Sequence, residues 1–139
     1  MTERLVIGDV ADVVAKMTRL TALGVHFSMD DFGTGYSSLT YLKRLRVALL
    51  KIDQSFVRDM LDDTDDLAIL QGVIGLAEAF NHKVIAEGVE TGAHGTKLLQ
   101  LGCQLGQGYG IARPMPPEQI PAWVEKWRPD AAWKGVPCT

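Results

Sequence analysis

Apolar residues Val10, Val13, Val14, Met17, Leu20 and Leu23 recur every three or four positions. That spacing predicts one buried helix face over residues 9–23, with Gly24 as its left-handed stop. A short strand is expected over 25–29, followed by the turn-rich run Asp31-Phe32-Gly33-Thr34-Gly35-Tyr36. Ser37 or Ser38 can cap a short helix through Lys43. Residues 47–52 form a near-continuous apolar run, as expected of a parallel strand covered on both faces. A helix through Phe56, Val57 and Met60 comes next, then a longer one over 65–80, closed by Asn81. Residues 83–86 read as the third strand, and Thr91 opens a helix ending at Leu101-Gly102. A weaker fourth strand is expected within 103–109. Pro114, Pro116 and Pro117 break the chain before a last helix over 118–127. Residues 1–127 thus read as one folded unit and 128–139 as a C-terminal tail.

Strands alternating with helices define an α/β protein with a parallel sheet. Such a sheet can stay open or form part of an eight-stranded barrel, and periodicity does not choose between them. Composition fits a soluble domain: 139 residues, 47% apolar and 22% charged, with a net charge of −3. Asp59, Asp62, Asp63, Asp65 and Asp66 crowd one connection, which argues against a surface that coats a nucleic-acid polymer. That cluster lacks the glycine and terminal glutamate of an EF-hand loop and reads as a solvated link between helices. Cys103 and Cys138 make no disulfide framework, which favours a reducing, cytoplasmic setting. No apolar run approaches the roughly 18 residues of a membrane span, and the N-terminus lacks the apolar stretch of a signal peptide.

The candidate chemistry lies where the predicted strands run out. Asp30 and Asp31 follow the first, Lys51 and Asp53 end the second, and Glu87 and Glu90 follow the third. Acidic side chains at the carboxyl ends of successive parallel strands are how a β/α barrel builds a polar, metal-holding mouth. Each residue also has a plainer reading: a solvated Asp-Asp turn, a surface ion pair at Lys51, or helix caps at Glu87 and Glu90. Their joint recurrence at strand ends favours the functional reading. Asp31-Phe32-Gly33 mimics a kinase motif, but no glycine-rich loop or catalytic-loop motif accompanies it. The glycines around Gln107 do not match the dinucleotide fingerprint. His26 reads as a strand residue, and His82 and His94 as surface residues. Trp123, Trp127 and Trp133 read as packing or interface residues.

The run Asp30-Asp31-Phe32-Gly33-Thr34-Gly35-Tyr36-Ser37-Ser38-Leu39 resembles the D-D-F-G-T-G-Y-S-S-L signature of EAL domains, bacterial phosphodiesterases that linearise cyclic di-GMP. Leu50-Lys51-Ile52-Asp53, Ala86-Glu87-Gly88-Val89-Glu90 and Gly106-Gln107-Gly108-Tyr109 with Arg113-Pro114 agree in order and spacing. The resemblance implies a partial (β/α)8 TIM-type barrel of about four βα units. It also implies a two-metal site for Mg2+ or Mn2+ and hydrolysis of cyclic di-GMP to linear pGpG. By that resemblance Asp30 bridges the two metals, and Asp31 and Glu87 ligate the second. Lys51 orients the attacking water or steadies phosphate charge, and Glu87 can instead accept the water's proton. Glu90 and Gln107 support the site and its water network. Phe32, Gly33, Thr34 and Gly35 form the loop that couples substrate binding and dimerisation to metal placement, and Glu3 is its anchor.

The same resemblance raises an expectation about incompleteness. Met1-Thr2-Glu3 matches the tail of the family's E-L-T-E segment, whose first glutamate falls before Met1. That glutamate, the glutamate of the E-A-L tripeptide and an asparagine are further metal ligands in the family. The 139-residue chain is therefore expected to be inactive or weak alone, and to dimerise or pair with an N-terminal half-domain. Two readings remain open: part of an active phosphodiesterase, or a module that binds cyclic di-GMP or dimerises without catalysis. Another metal-dependent phosphoryl-transfer barrel is a third.

Overall fold

The computed structural model describes residues 10–32, 39–45 and 47–136. The first helix, α1 (Val10–Ala22), stops at Gly24, whose φ of +90° is open to glycine at little cost. Strand β1 (Ser28–Phe32) leads to α2 (Leu39–Arg44), and β2 (Leu49–Ile52) follows. Helices α3 (Gln54–Asp59) and α4 (Thr64–Ala79) precede β3 (Lys83–Glu87). Helix α5 (Gly92–Gln100) connects to β4 (Leu105–Gln107), and α6 (Ile120–Lys126) comes last, between 3-10 turns at Pro117–Gln119 and Ala131–Trp133.

The strands form a single parallel sheet in the order β1-β2-β3-β4. This is the α/β architecture of about four βα units expected of a partial TIM-type barrel. Side chains reach the core from alternate strand positions: Leu50 and Ile52 are both 0% exposed. Val57 and Met60 from the α3 region, Leu70 and Ala77 from α4, and Leu98 from α5 complete the core cluster. Asp63 opens α4 by accepting from the backbone N–H groups of Asp65 and Asp66, and this gives the acidic cluster a capping role. Asn81 closes the same helix at a positive φ of 58°.

Several expectations need correction. β1 covers 28–32 rather than 25–29, so Asp30, Asp31 and Phe32 are strand residues, and His26 precedes the strand. Phe32 was expected in the loop; it ends the strand instead, pairing with Ile52, and at 4% exposed its ring joins the core cluster. Gly33, Thr34, Gly35 and the anchor Glu3 lie outside the described residues. The apolar stripe of α1 is buried only in part: Met17 is in the core, while Leu20 and Leu23 face out.

His82 and His94, expected at the surface, are tied to backbone carbonyls. His82 Nδ1 and Nε2 lie 3.1 Å from the carbonyls of Val47 and Leu42, so the ring joins the approach to β2 with α2. His94 is buried at the start of α5. Residues 128–136, read from sequence as tail, return to α5. Asp130 caps the turn at Ala131–Trp133, and Trp133 Nε1 donates to the Gly92 carbonyl at 2.9 Å. Gly95 leaves room for that indole, since a Cβ there would collide with it.

Candidate metal-binding site

Register explains how two adjacent aspartates serve one site. Met29 pairs with Leu50 and Phe32 with Ile52, so β1 carries one residue more than β2 across this step. In a regular strand Asp30 and Asp31 would point to opposite faces. Here a bulge absorbs the extra residue, and Asp31 takes a left-handed φ of 55°. That conformation costs a non-glycine residue about 1 kcal/mol, and aspartate is among the residue types that tolerate it best.

The neighbouring strands supply the rest. Lys51, in β2 between the buried Leu50 and Ile52, points the other way, and its Nζ lies 2.9 Å from Glu87 Oε1 and 3.6 Å from Asp30 Oδ1. It spans from β1 to β3 across its own strand. Its pKa is raised above the ordinary lysine value, first by the hydrogen bond to Glu87, with both carboxylates adding attraction and burial opposing. Lys51 is therefore a cation at neutral pH. Asp30 Oδ1 is buried and accepts no hydrogen bond among the described residues, since 3.6 Å to Lys51 exceeds hydrogen-bond reach.

One carboxylate oxygen each from Asp31, Asp53 and Glu87 lies within 4.8 Å of the others. Asp53 also caps α3, accepting from the Ser55 backbone N–H at 3.0 Å and from the Ser55 hydroxyl. The sequence reading placed Asp53 at the strand end but gave it no role; the signal was its Asp-x-Ser cap spacing one residue beyond β2. Three clustered carboxylates beside a fourth with an unsatisfied buried oxygen suit a hard divalent cation, which takes oxygen ligands.

Asp31, Asp53 and Glu87 border a cleft of about 400 Å³ that is also lined by Gln54, Glu90, Gln107 and Tyr109. Glu87 pairs with Gln107 in register, and the Gln107 carbonyl accepts from the Val89 backbone N–H at 3.0 Å. Glu90 and Gln107 are both exposed on the cleft wall. Thr91, not Glu87 or Glu90, caps α5 by accepting from the His94 backbone N–H. His94 then braces the loop. The Arg58 carbonyl, 3.1 Å from Nε2, can only accept, so Nε2 donates. On the singly protonated ring, Nδ1 accepts from the Thr91 hydroxyl at 2.7 Å. The segment carrying Glu87 and Glu90 is thereby joined to α3, the helix that Asp53 caps.

A parallel α/β sheet of TIM-barrel type with a carboxylate-lined mouth defines the class of protein. The EAL domain family matches residues 1–114, and the chain belongs to that family. It is 46% identical over 124 residues to the bifunctional diguanylate cyclase/cyclic di-GMP phosphodiesterase MucR of Pseudomonas aeruginosa, covering 89% of this chain and 18% of that protein. The solved structure of the PaMucR phosphodiesterase in complex with c-di-GMP superposes with a TM-score of 0.81 at 46% identity, covering 86% of this chain and 49% of that one. The manganese/cy-diGMP complex of Klebsiella pneumoniae BlrP1 superposes with a TM-score of 0.74 at 34% identity, covering 81% and 29%. The chain thus spans about half the length of the solved MucR chain and about a fifth of the curated relative. No helix among the described residues is long and apolar enough to cross a membrane.

Proposed function

We propose that this chain supplies the carboxylate and lysine wall of a two-metal phosphodiesterase site that hydrolyses cyclic di-GMP to linear pGpG. The observation that carries this reading is the meeting of Asp31, Asp53 and Glu87 oxygens within 4.8 Å, beside the unsatisfied Oδ1 of Asp30. Asp30 and Asp31 would hold the cations, with Glu87 and Asp53 completing the grip from β3 and α3. When bound, divalent cations polarise a phosphodiester and ready a water for attack. Lys51 supports the reaction as a positive charge beside the carboxylates, its Nζ 2.9 Å from Glu87 Oε1 and 3.6 Å from Asp30 Oδ1. It steadies charge developing on the phosphate and helps orient the attacking water. Glu87 is the candidate acceptor for that water's proton, and Glu90 and Gln107 hold the cleft's water network.

The described carboxylates make a partial shell, and magnesium demands near-octahedral oxygen coordination. The 139-residue polypeptide by itself therefore turns over cyclic di-GMP slowly or not at all, and gains activity when joined to a segment bearing further ligands. The second reading, a module that associates with another chain and binds without catalysis, is supported by β4, whose residues are all exposed. A second copy or an N-terminal half-domain would cover it.

Chromatographic assay of pGpG release with manganese tests both. The polypeptide alone should stay far below the roughly 1 per second typical of enzymes, and a chimera carrying the amino-terminal half of a relative's EAL domain should approach it. Full turnover by the polypeptide alone contradicts the partial-shell account. A folded chimera that binds manganese without turnover favours the binding module.

A further inference from the structure

The polypeptide turns sharply just after Glu87, where Gly88 takes a left-handed φ of 80°. Residues 88–91 then lead into α5, and this short link is gripped from two sides. On the β4 side, Val89 N–H donates to the Gln107 carbonyl at 3.0 Å, and the Val89 carbonyl accepts from Gly110 N–H at 2.9 Å. On the α5 side the grip comes from residues 130–133, which lie beyond the residues 1–114 that match the EAL family. Trp133 Nε1 donates to the Gly92 carbonyl at 2.9 Å. The Trp133 ring occupies the space a Cβ on Gly95 would need, and the Asp130 carboxylate occupies that of a Cβ on Gly92. Asp130 also fixes its own turn by accepting from the Ala132 N–H at 2.9 Å. Val89, 2% exposed, and Trp133 line one cavity of about 410 Å³ together with Leu98, Ile111, Trp127 and Pro129.

We infer that residues 130–133 are a positioning strap for the metal site, with Trp133 as its anchor. By holding the start of α5 they fix the link that follows Glu87 and carries Glu90. The inference rests on the phosphodiesterase reading for the role of Glu87. Glycine is among the weakest helix formers, and α5 carries two near its start, Gly92 and Gly95. Those same glycines admit Asp130 and Trp133, so the helix exchanges intrinsic strength for an external clamp. Asp31 and Asp53 come from β1 and from the cap of α3, and slack in the link would let Glu87 drift away from them. Trp133 touches no cation ligand and acts only through α5 and Val89.

The test uses the 139-residue polypeptide, with backbone amide exchange read by NMR and manganese binding by electron paramagnetic resonance. Trp133→Ala removes the anchor, and Gly95→Ala displaces the indole while giving α5 a better helix former. Both should speed exchange of the Val89 and Gly110 amides about tenfold, while the amides of β2 keep the parent rate. Both should weaken manganese binding about fivefold. The double variant should be no worse than Trp133→Ala alone, because the added Cβ then meets no ring. Parent-like exchange at Val89 in Gly95→Ala overturns the strap, and so does faster exchange with manganese affinity unchanged. Acceleration spread equally to β2 also overturns it, since the segment then serves only global stability. A parent chain that binds no manganese overturns the metal reading instead, and amide exchange alone then decides whether the strap holds the link.

Discussion

β2 and β4 belong to the same parallel sheet, yet they serve different ends. In β2, Leu50 and Ile52 are 0% exposed, and the side chain between them, Lys51, is delivered to the carboxylates on both sides. In β4 every residue is exposed, with Leu105 at 45%, and the neighbouring support is the loop 108–111. The contrast shows where positional accuracy comes from. Packing on both sides fixes β2 and the Lys51 it carries, whereas β4 and the loop after it hold Gln107 and Tyr109 by glycine-mediated backbone contact.

The largest expected effect tests that difference in the core. Leu50→Ala should destabilise the chain by about 2–5 kcal/mol, the cost of lost burial plus a cavity. Leu105→Ala should cost less than about 1 kcal/mol, since little burial is lost. Chemical denaturation of both variants measures the gap, and equal losses would erase the distinction between the two strands.

Lys51→Met comes next. It removes the cation that shares Glu87 and Asp30, so manganese binding should tighten about tenfold or more while turnover in a completed domain falls. Weaker manganese binding would mean that Lys51 positions the carboxylates rather than competing for them.

His94→Ala should cost about 1–3 kcal/mol, because the Arg58 carbonyl loses its donor in a buried setting. It should also reduce manganese affinity through the loosened Glu87 segment. A stability loss with manganese affinity unchanged would confine the brace to the fold.

The smallest effect is in alkali. A lysine whose folded pKa is raised contributes stability that is fully present below its ordinary value of 10.5 and lost as pH rises through the raised value. Stability should therefore decline above about pH 10.5 more steeply in the parent than in Lys51→Met. Parallel curves would show that the Lys51 charge does not matter to folding.

Much of this was legible in sequence, because hydrophobic period sets element type and order. The apolar runs of β2 and β3 and the Asn81 and Gly24 stops sit within a few residues of expectation. What escaped depended on tertiary partners. The bulge in β1 is invisible to an alternation rule, since Ser28-Met29-Asp30-Asp31-Phe32 shows no period that marks an extra residue. His94 looked like a surface residue because its partner, the Arg58 carbonyl, lies far away in sequence, although the Thr91-x-x-His94 spacing carried a capping signal. Trp133 was read as a packing or interface residue, but its seat on α5, where the Gly92 carbonyl accepts from its indole N–H and Gly95 leaves room, depends on partners some forty residues away in sequence.

The central claim is that Asp31, Asp53 and Glu87 jointly hold one divalent cation. Manganese titration of the 139-residue chain against Asp31→Asn, Asp53→Asn and Glu87→Gln, read by electron paramagnetic resonance, addresses it directly. The account predicts saturable binding to the parent chain that weakens about tenfold or more in each variant, with the fold preserved by circular dichroism. Binding indifferent to all three substitutions would contradict it.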